Sequence, residues 1–124
     1  MTIKKLLISN RGEIASRIIK SAHDMGITCV AIYTEADKNT PYVREAEQCF
    51  KLSDSYLNAK EILEIAKKNN VDAIHPGYGF LSENANFANN VKKAGIIWIG
   101  PSANAIKKMG DKIIAKTLAE KAGV

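Results

Sequence analysis

Short apolar runs alternate with amphipathic stretches along this chain, and that alternation constrains its fold more than any other feature. Residues 27–33 and 71–74 are nearly continuous in apolar residues, which is typical of strands covered on both faces. Between an apolar run at residues 4–9 and the run at 27–33, apolar residues recur at the spacing of a helix that buries one face: Ile14, Ile18, Ala22 and Met25. Strands that alternate with helices pair in parallel through right-handed crossovers. The sequence therefore predicts an α/β domain with a parallel sheet and helices on both faces.

The predicted strands cover residues 4–9, 27–33, 48–52, 71–74 and 96–99. Ser82 is the expected N-cap of the helix after the fourth strand, which would place Glu83 in its first turn. After the fifth strand, Ser102 is expected to cap a helix that Gly110 breaks, so that Asp111 begins another helix.

Composition excludes several classes of protein. The chain has 124 residues, the size of one domain, and its net charge of +5 comes mostly from scattered lysines. Nucleic-acid binding favours a concentrated basic stripe, which is absent from the sequence. No apolar run approaches the roughly 20 residues of a membrane span, and the first residues do not resemble a signal peptide. We therefore expect a cytoplasmic protein without nucleic-acid or membrane partners.

The two cysteines predict neither a metal site nor a disulfide. Cys29 and Cys49 lie in separate strand-like runs, so each is expected to be a buried, reduced thiol. Two isolated cysteines are too few for a zinc cluster. His23, on the first helix, is expected to be exposed.

The loop at residues 75–84, HPGYGFLSEN, is the first candidate for a binding site. It follows a predicted buried strand, and ligands of open parallel sheets usually bind at the carboxyl ends of the strands. Gly77 and Gly79 permit a close approach on either side of Tyr78. The side chains that would act there are His75, Tyr78, Glu83 and Asn84. For three of them the alternative is structural: His75 as a hydrogen-bonding strand end, Tyr78 in packing, and Glu83 as a helix cap.

Nucleotide motifs are incomplete. A dinucleotide site needs three glycines after the first strand, where this chain has only Gly12, although Glu35 or Asp37 stands where a ribose-binding acid would lie. No phosphate-binding glycine loop precedes Lys112. A lysine in the first turn of a helix suits a phosphate, and the alternative is a solvated lysine. No catalytic triad, nucleophilic cysteine or metal cluster is evident.

Four motifs together resemble one family. They are SNRGEIASRI at residues 9–18, HPGYGFLSEN at 75–84, IGP at 99–101 and MGDK at 109–112. These segments are similar to the N-terminal domain of biotin carboxylase, which acetyl-CoA, propionyl-CoA and pyruvate carboxylases share. The resemblance implies a three-layer, Rossmann-like pre-ATP-grasp domain over residues 1–124. It also implies that about residues 111–124 begin the connection to an ATP-grasp domain, so that this chain is a fragment.

The resemblance also implies an activity for the complete protein. Such enzymes use ATP, with Mg²⁺ or Mn²⁺, to activate bicarbonate as carboxyphosphate, and then carboxylate biotin on a carrier protein. Expected partners are the biotin carboxyl carrier protein or domain, a carboxyltransferase component, and a second copy in a homodimer. The family's metal ligands and catalytic base would lie beyond Val124, so no catalytic residue is expected here and the fragment is expected to be inactive and mostly monomeric.

Individual positions match the family's motifs. Lys112 matches an ATP-contacting lysine, and Tyr78 and Gly79 match positions beside biotin. Glu83 matches an acid of the active-site loop, which would also include His75, Gly77 and Asn84. The helix that would form the dimer face carries Arg17, Lys20 and Asp24.

The chain departs from the family pattern at two places. Lys20 stands where an arginine is common, and residues 51–58 lack the customary glycine before Tyr-Leu-Asn, which predicts a trimmed loop.

Two alternative functions accompany the resemblance. They are another ATP-grasp ligase, such as a carbamoyl-phosphate synthase, and a non-catalytic binding module. The sequence does not specify the acyl acceptor, since a separate carboxyltransferase selects it.

Overall fold

Five parallel strands form one sheet in the computed structural model, which describes residues 2–123; Met1 and Val124, the ends of the predicted domain, lie outside the described residues. The strands are β1 (Lys5–Ile8), β2 (Thr28–Tyr33), β3 (Gln48–Lys51), β4 (Ala73–His75) and β5 (Ile97–Trp98). Their order in the sheet is β3-β2-β1-β4-β5, and every neighbouring pair is parallel. The predicted α/β class with a parallel sheet is confirmed.

Among the described residues, four α-helices and one short 3₁₀ helix, Glu35–Asp37, connect the strands, and a fifth α-helix follows the last strand. The α-helices are α1 (Gly12–Asp24), α2 (Pro41–Glu45), α3 (Ala59–Lys68), α4 (Ala85–Lys93) and α5 (Ala103–Lys121).

The core has two halves because side chains alternate across the sheet. Leu7 of β1 packs with residues of α3 and α4, whereas Leu6 and Ile8 pack with residues of α1 and α2. Leu7 and Ile8 are completely buried, and burying each aliphatic side chain of this size contributes about 2 kcal/mol. Helices therefore cover both faces of the sheet, which confirms the predicted three layers.

The buried face of α1 differs from the predicted one. Ala15, Ile19 and Ala22 are buried, whereas Ile14 is only partly buried and Met25 is 75% exposed. Met25 is exposed because α1 ends at Asp24, before the turn that enters β2. Ile14 lies beside Gly77 and so contacts the loop after β4 instead of the sheet.

The start of α4 also differs from prediction, because Asn84 rather than Ser82 is its N-cap. The Asn84 side chain accepts a hydrogen bond of 2.9 Å from the Phe87 amide. The Ser82 amide instead donates to the Gly79 carbonyl within the preceding turn. Glu83 therefore lies before α4 and not in its first turn.

The last helix is continuous, so the predicted break at Gly110 is wrong. Ser102 caps α5 as predicted, its hydroxyl accepting from the Ala105 amide at 3.1 Å. One helical glycine costs about 1 kcal/mol relative to alanine, which does not terminate a helix flanked by good helix formers.

The two cysteines are in different environments, so the prediction that both are buried is wrong for Cys49. Cys29 lies on interior strand β2, where burial raises the pKa of its thiol to about 11. Cys49 is exposed because β3 is an edge strand. Neither forms a disulfide.

Among residues 2–123, none of the helices is both long and apolar enough to span a bilayer.

We predict that Gly110→Ala stabilises α5 by about 1 kcal/mol, because a Cβ at Gly110 meets no atom within 4 Å. Amide hydrogen exchange over residues 111–118 should slow about fivefold. The matched control is Ala115→Gly, at an exposed position of the same helix, which should accelerate exchange by a similar factor. Faster exchange in Gly110→Ala would show that the helix needs a glycine there.

Candidate functional site

The candidate site lies where the strand order reverses. The chain builds the sheet from β1 outward to β2 and β3, then returns to place β4 and β5 on the other side of β1. In open parallel sheets, such a switch point leaves a crevice at the carboxyl ends of the two central strands. Ile8 and His75 are paired at these ends of β1 and β4. The loop at residues 75–84 therefore begins at the switch point, whereas the sequence predicts only its place at the carboxyl end of a strand.

Asn10 holds this loop against the end of β1. Its side-chain amide donates hydrogen bonds of 2.8 Å to the Pro76 carbonyl and 2.7 Å to the Tyr78 carbonyl. Its side-chain oxygen accepts from the Arg11 amide at 2.9 Å. Asn10 is 0% exposed, and these bonds use both of its N–H donors and its acceptor. Sequence reasoning missed it as a site residue, because the partners lie 66 and 68 positions away.

Gly77 is required by the closeness of Asn10. It has a φ of +64°, and a Cβ there would lie 2.5 Å from Asn10 Nδ2 and 2.9 Å from Cγ. Gly79 has the same φ, yet a Cβ there meets no atom within 4 Å. The first glycine thus permits the close approach of two loops, and the second leaves open space beside Tyr78.

His75 has a structural role in the loop. Its Nδ1 accepts a hydrogen bond of 3.1 Å from the Gly77 amide, so the neutral ring carries its proton on Nε2. Burial lowers the pKa of His75, which favours this neutral form. The His75 carbonyl also accepts from the Ser9 amide at 2.9 Å. The hydrogen-bonding alternative for His75 is therefore what the geometry supports.

Both aromatic side chains of the loop are exposed, and one of them packs against another ring. Tyr78 is 77% exposed. Phe80 has a φ of +46°, unusual for a bulky residue, and its ring lies 5.3 Å from that of Tyr56. Glu83 is exposed, and Asn84 is occupied as the cap of α4. Tyr78 and Glu83 are therefore exposed side chains of the loop, whereas His75, Gly77 and Asn84 shape its backbone.

A second network fixes the neighbouring loops. Arg11 forms two hydrogen bonds to the buried Asp37 carboxylate, at 2.6 and 2.7 Å, and they hold the Asp37 pKa below its usual range. The Tyr56 hydroxyl donates to Asp37 at 2.6 Å and lies 2.6 Å from the Tyr42 hydroxyl. The Tyr42 hydroxyl donates to the Ile32 carbonyl at 2.9 Å.

Both acids that stand where a ribose-binding acid would lie already have partners. Asp37 is committed to Arg11 and Tyr56, and Glu35 pairs with Lys38 and Lys51 at 2.8 Å each. The two lysines lower the Glu35 pKa to about 2. The acids considered for a dinucleotide site therefore have other partners.

Lys112 is an exposed residue in the interior of α5, so its predicted place in a first helical turn is wrong. Because α5 begins at Ala103, the backbone amides around Lys112 are within the helix and cannot bind a phosphate. Only the ammonium group remains available.

The three predicted dimer-face residues lie together, exposed, on α1. These residues are Arg17, Lys20 and Asp24. They border a groove of about 420 Å³, which Ile19, His23 and Glu45 also line. Arg17 pairs with Glu13 at 3.5 Å.

The switch point, the helices on both faces and the parallel sheet define a Rossmann-like α/β domain. The family model described as "Biotin carboxylase, N-terminal domain" matches residues 2–106, and the chain belongs to this family.

Relatives of known sequence and structure agree with this assignment. Biotin carboxylase 1 of Bacillus subtilis is 50% identical to this chain over an alignment of 127 residues. The alignment covers 98% of this chain and 28% of that protein. The crystal structure of the biotin carboxylase subunit of a pyruvate carboxylase has a TM-score of 0.88 at 45% identity, covering 99% of this chain and 28% of that one.

A third comparison is a structure with bound ligands. It is the biotin carboxylase domain dimer of Hydrogenobacter thermophilus 2-oxoglutarate carboxylase in complex with MgADP, ADP and bicarbonate. Its TM-score is 0.88 at 42% identity, covering 100% of this chain and 28% of that one. This chain thus spans little more than a quarter of these relatives.

We predict that Gly77→Ala lowers the free energy of unfolding by about 3 kcal/mol, because positive φ strain adds to the clash with Asn10. Gly79→Ala is the matched control, with equal φ and open space, and should lower it by about 1 kcal/mol. Urea denaturation of both variants measures the difference. Equal losses would contradict the close approach between the loops.

Proposed function

We propose that this chain is the N-terminal domain of a longer biotin carboxylase, which uses ATP to carboxylate carrier-bound biotin with bicarbonate through carboxyphosphate. The observation that carries the proposal is the loop at residues 75–84. It is tied to β1 by Asn10 and presents Tyr78 at the switch point, in a chain that belongs to this family. The domain supplies one wall of the active site, and no catalytic residue of its own.

The space around Tyr78 fits a flat ligand such as the ureido ring of biotin. Tyr78 is largely exposed, and the side of Gly79 where a Cβ would lie is open. An exposed aromatic side chain beside an open glycine can pack against a planar ring while backbone groups approach its polar edge. We assign biotin contact to Tyr78 and Gly79, and place Glu83 beside them at the rim of the crevice.

For ATP and its metal ion, this chain supplies only part of a site. Lys112 offers an exposed ammonium group that suits a nucleotide phosphate. The metal, Mg²⁺ or Mn²⁺, would neutralise phosphate charge when bound. We place its ligands, the bicarbonate site and the catalytic base in an ATP-grasp domain, to which residues 111–124 begin the connection.

The acyl acceptor does not follow from this domain. One similar structure comes from a pyruvate carboxylase and another from a 2-oxoglutarate carboxylase, at 45% and 42% identity to this chain. We propose that a carboxyltransferase component selects the acceptor, that the biotin carboxyl carrier protein or domain is the direct partner, and that the enzyme works in the cytoplasm.

The first experiment measures ATP hydrolysis by the longer protein with bicarbonate and Mg²⁺, in the presence and absence of free biotin. We expect biotin to stimulate turnover, and Lys112→Ala to raise the KM for ATP about tenfold, as the loss of one charged contact worth about 1.4 kcal/mol would do. Lys121→Ala, which removes the same charge from the opposite side of α5, should have no effect.

The outcomes separate the two enzyme classes. ATP hydrolysis that biotin does not change would indicate another ATP-grasp ligase and would remove the role assigned to Tyr78. Turnover by the 124-residue chain alone would contradict the placement of catalysis outside it.

We further propose that Arg17, Lys20 and Asp24 contribute to a homodimer of the longer protein. Their exposure together on α1 supports this, and one similar structure is a domain dimer. Sedimentation should show a weaker dimer for Arg17→Glu than for wild type, whereas the 124-residue chain should sediment as a monomer. An unchanged dimer in Arg17→Glu would exclude this face.

A further inference from the structure

Three side chains of types that can bind a metal ion lie close together at the amino ends of the strands. This is the end of the sheet opposite the loop at residues 75–84. They come from three elements: His23 from the last turn of α1, Cys29 from β2, and Glu47 from the residue before β3. One ligand atom from each lies within 4.8 Å of the other two. The sequence analysis predicts no metal cluster and treats His23 as an exposed residue, because the sequence does not show that a histidine and a carboxylate lie beside Cys29.

The pairing of the strands brings Cys29 and Glu47 together. Val30 and Gln48 are register partners in the parallel β2–β3 pair, so the residues before them are neighbours. The Glu47 carboxylate accepts a hydrogen bond of 2.7 Å from the Cys29 amide, which orients it toward β2. His23 Nε2 lies 2.9 Å from both carboxylate oxygens.

We propose that His23, Cys29 and Glu47 bind a Zn²⁺ ion. Sulfur, imidazole nitrogen and carboxylate oxygen are the ligand atoms that zinc combines, and its tetrahedral geometry separates them by about 3.3–3.6 Å. The three ligand atoms now lie within 4.8 Å of one another, so side-chain movements of about 1 Å bring them to these separations. Upon binding, the Cys29 thiol gives its proton to solvent and the thiolate bonds to the metal.

The surroundings suit three protein ligands and a water molecule. Cys29 is completely buried, whereas the side chains of His23 and Glu47 are 38% and 44% exposed. Solvent therefore reaches one side of the cluster and can supply the fourth ligand. An ion here would join the end of α1 to the starts of β2 and β3.

The test is titration of the reduced, tag-free 124-residue chain with Co²⁺, a spectroscopic substitute for Zn²⁺. We expect sulfur-to-cobalt charge-transfer absorption that saturates at one ion per chain and disappears when Zn²⁺ is added. Cys29→Ser should abolish the absorption, and His23→Gln and Glu47→Gln should each weaken Co²⁺ binding at least tenfold. The absence of the absorption in wild type would overturn the proposal.

Matched variants distinguish this cluster from the rest of the surface. Cys49→Ser removes the exposed cysteine and Glu45→Gln a nearby exposed carboxylate, and both should bind Co²⁺ as wild type does. Loss of the absorption in Cys49→Ser would place the metal elsewhere. Cys29 is buried, so Cys29→Ser can unfold, and circular dichroism shows whether it does. If it is unfolded, His23→Gln, at a partly exposed position, tests whether the cluster binds the metal. Unchanged affinity in folded His23→Gln would refute the site.

Discussion

The arrangement of the loops at the carboxyl ends of the strands depends on the hydrogen bonds of the Asn10 side chain. It bridges the end of β1 to two carbonyls in the loop after β4, and it does so from a completely buried position. A buried amide that lost these partners would cost about 1–3 kcal/mol, so the loop and the strand end are held together. The same contact explains Gly77, because any side chain there would occupy the space of the Asn10 amide.

Arg11, the next residue, makes the corresponding connection on the other side of β1. Its guanidinium group binds Asp37, in the loop after β2, and Asp37 accepts from Tyr56, in the loop after β3. The Tyr56 ring in turn packs against Phe80, in the loop after β4. Two adjacent residues of one turn thus connect four loops, and this explains why Tyr78 can be exposed on a loop whose backbone is fixed.

The parallel sheet and the position of the candidate loop could be predicted because they depend on local patterns. Continuous apolar runs identify strands, and a glycine-rich segment after a strand identifies a loop at the carboxyl edge. The position of Lys112 could not be predicted in this way. Gly110 indicated a helix end, yet its cost of about 1 kcal/mol is smaller than the propensity of its neighbours to continue α5.

Contacts between distant residues account for the remaining differences. Asn10 and its partners are more than 60 positions apart, and only the strand order brings them together. The exposure of Cys49 likewise depends on β3 being at the edge of the sheet, since the same run in an interior strand would be buried. Local sequence indicates which segments form strands, but the order of strands decides which residues are neighbours.

The parallel direction of the strands, in turn, separates their amino ends from their carboxyl ends. In a parallel sheet all carboxyl ends lie at one edge, so the loop that presents Tyr78 and the cluster of His23, Cys29 and Glu47 are at opposite ends of the strands. β2 connects them, because Cys29 lies near its start and the Arg11–Asp37 contact follows its end. An ion at the amino edge would therefore affect ligand binding only by stabilising β2 and its neighbours, and would contact no residue of the loop at residues 75–84.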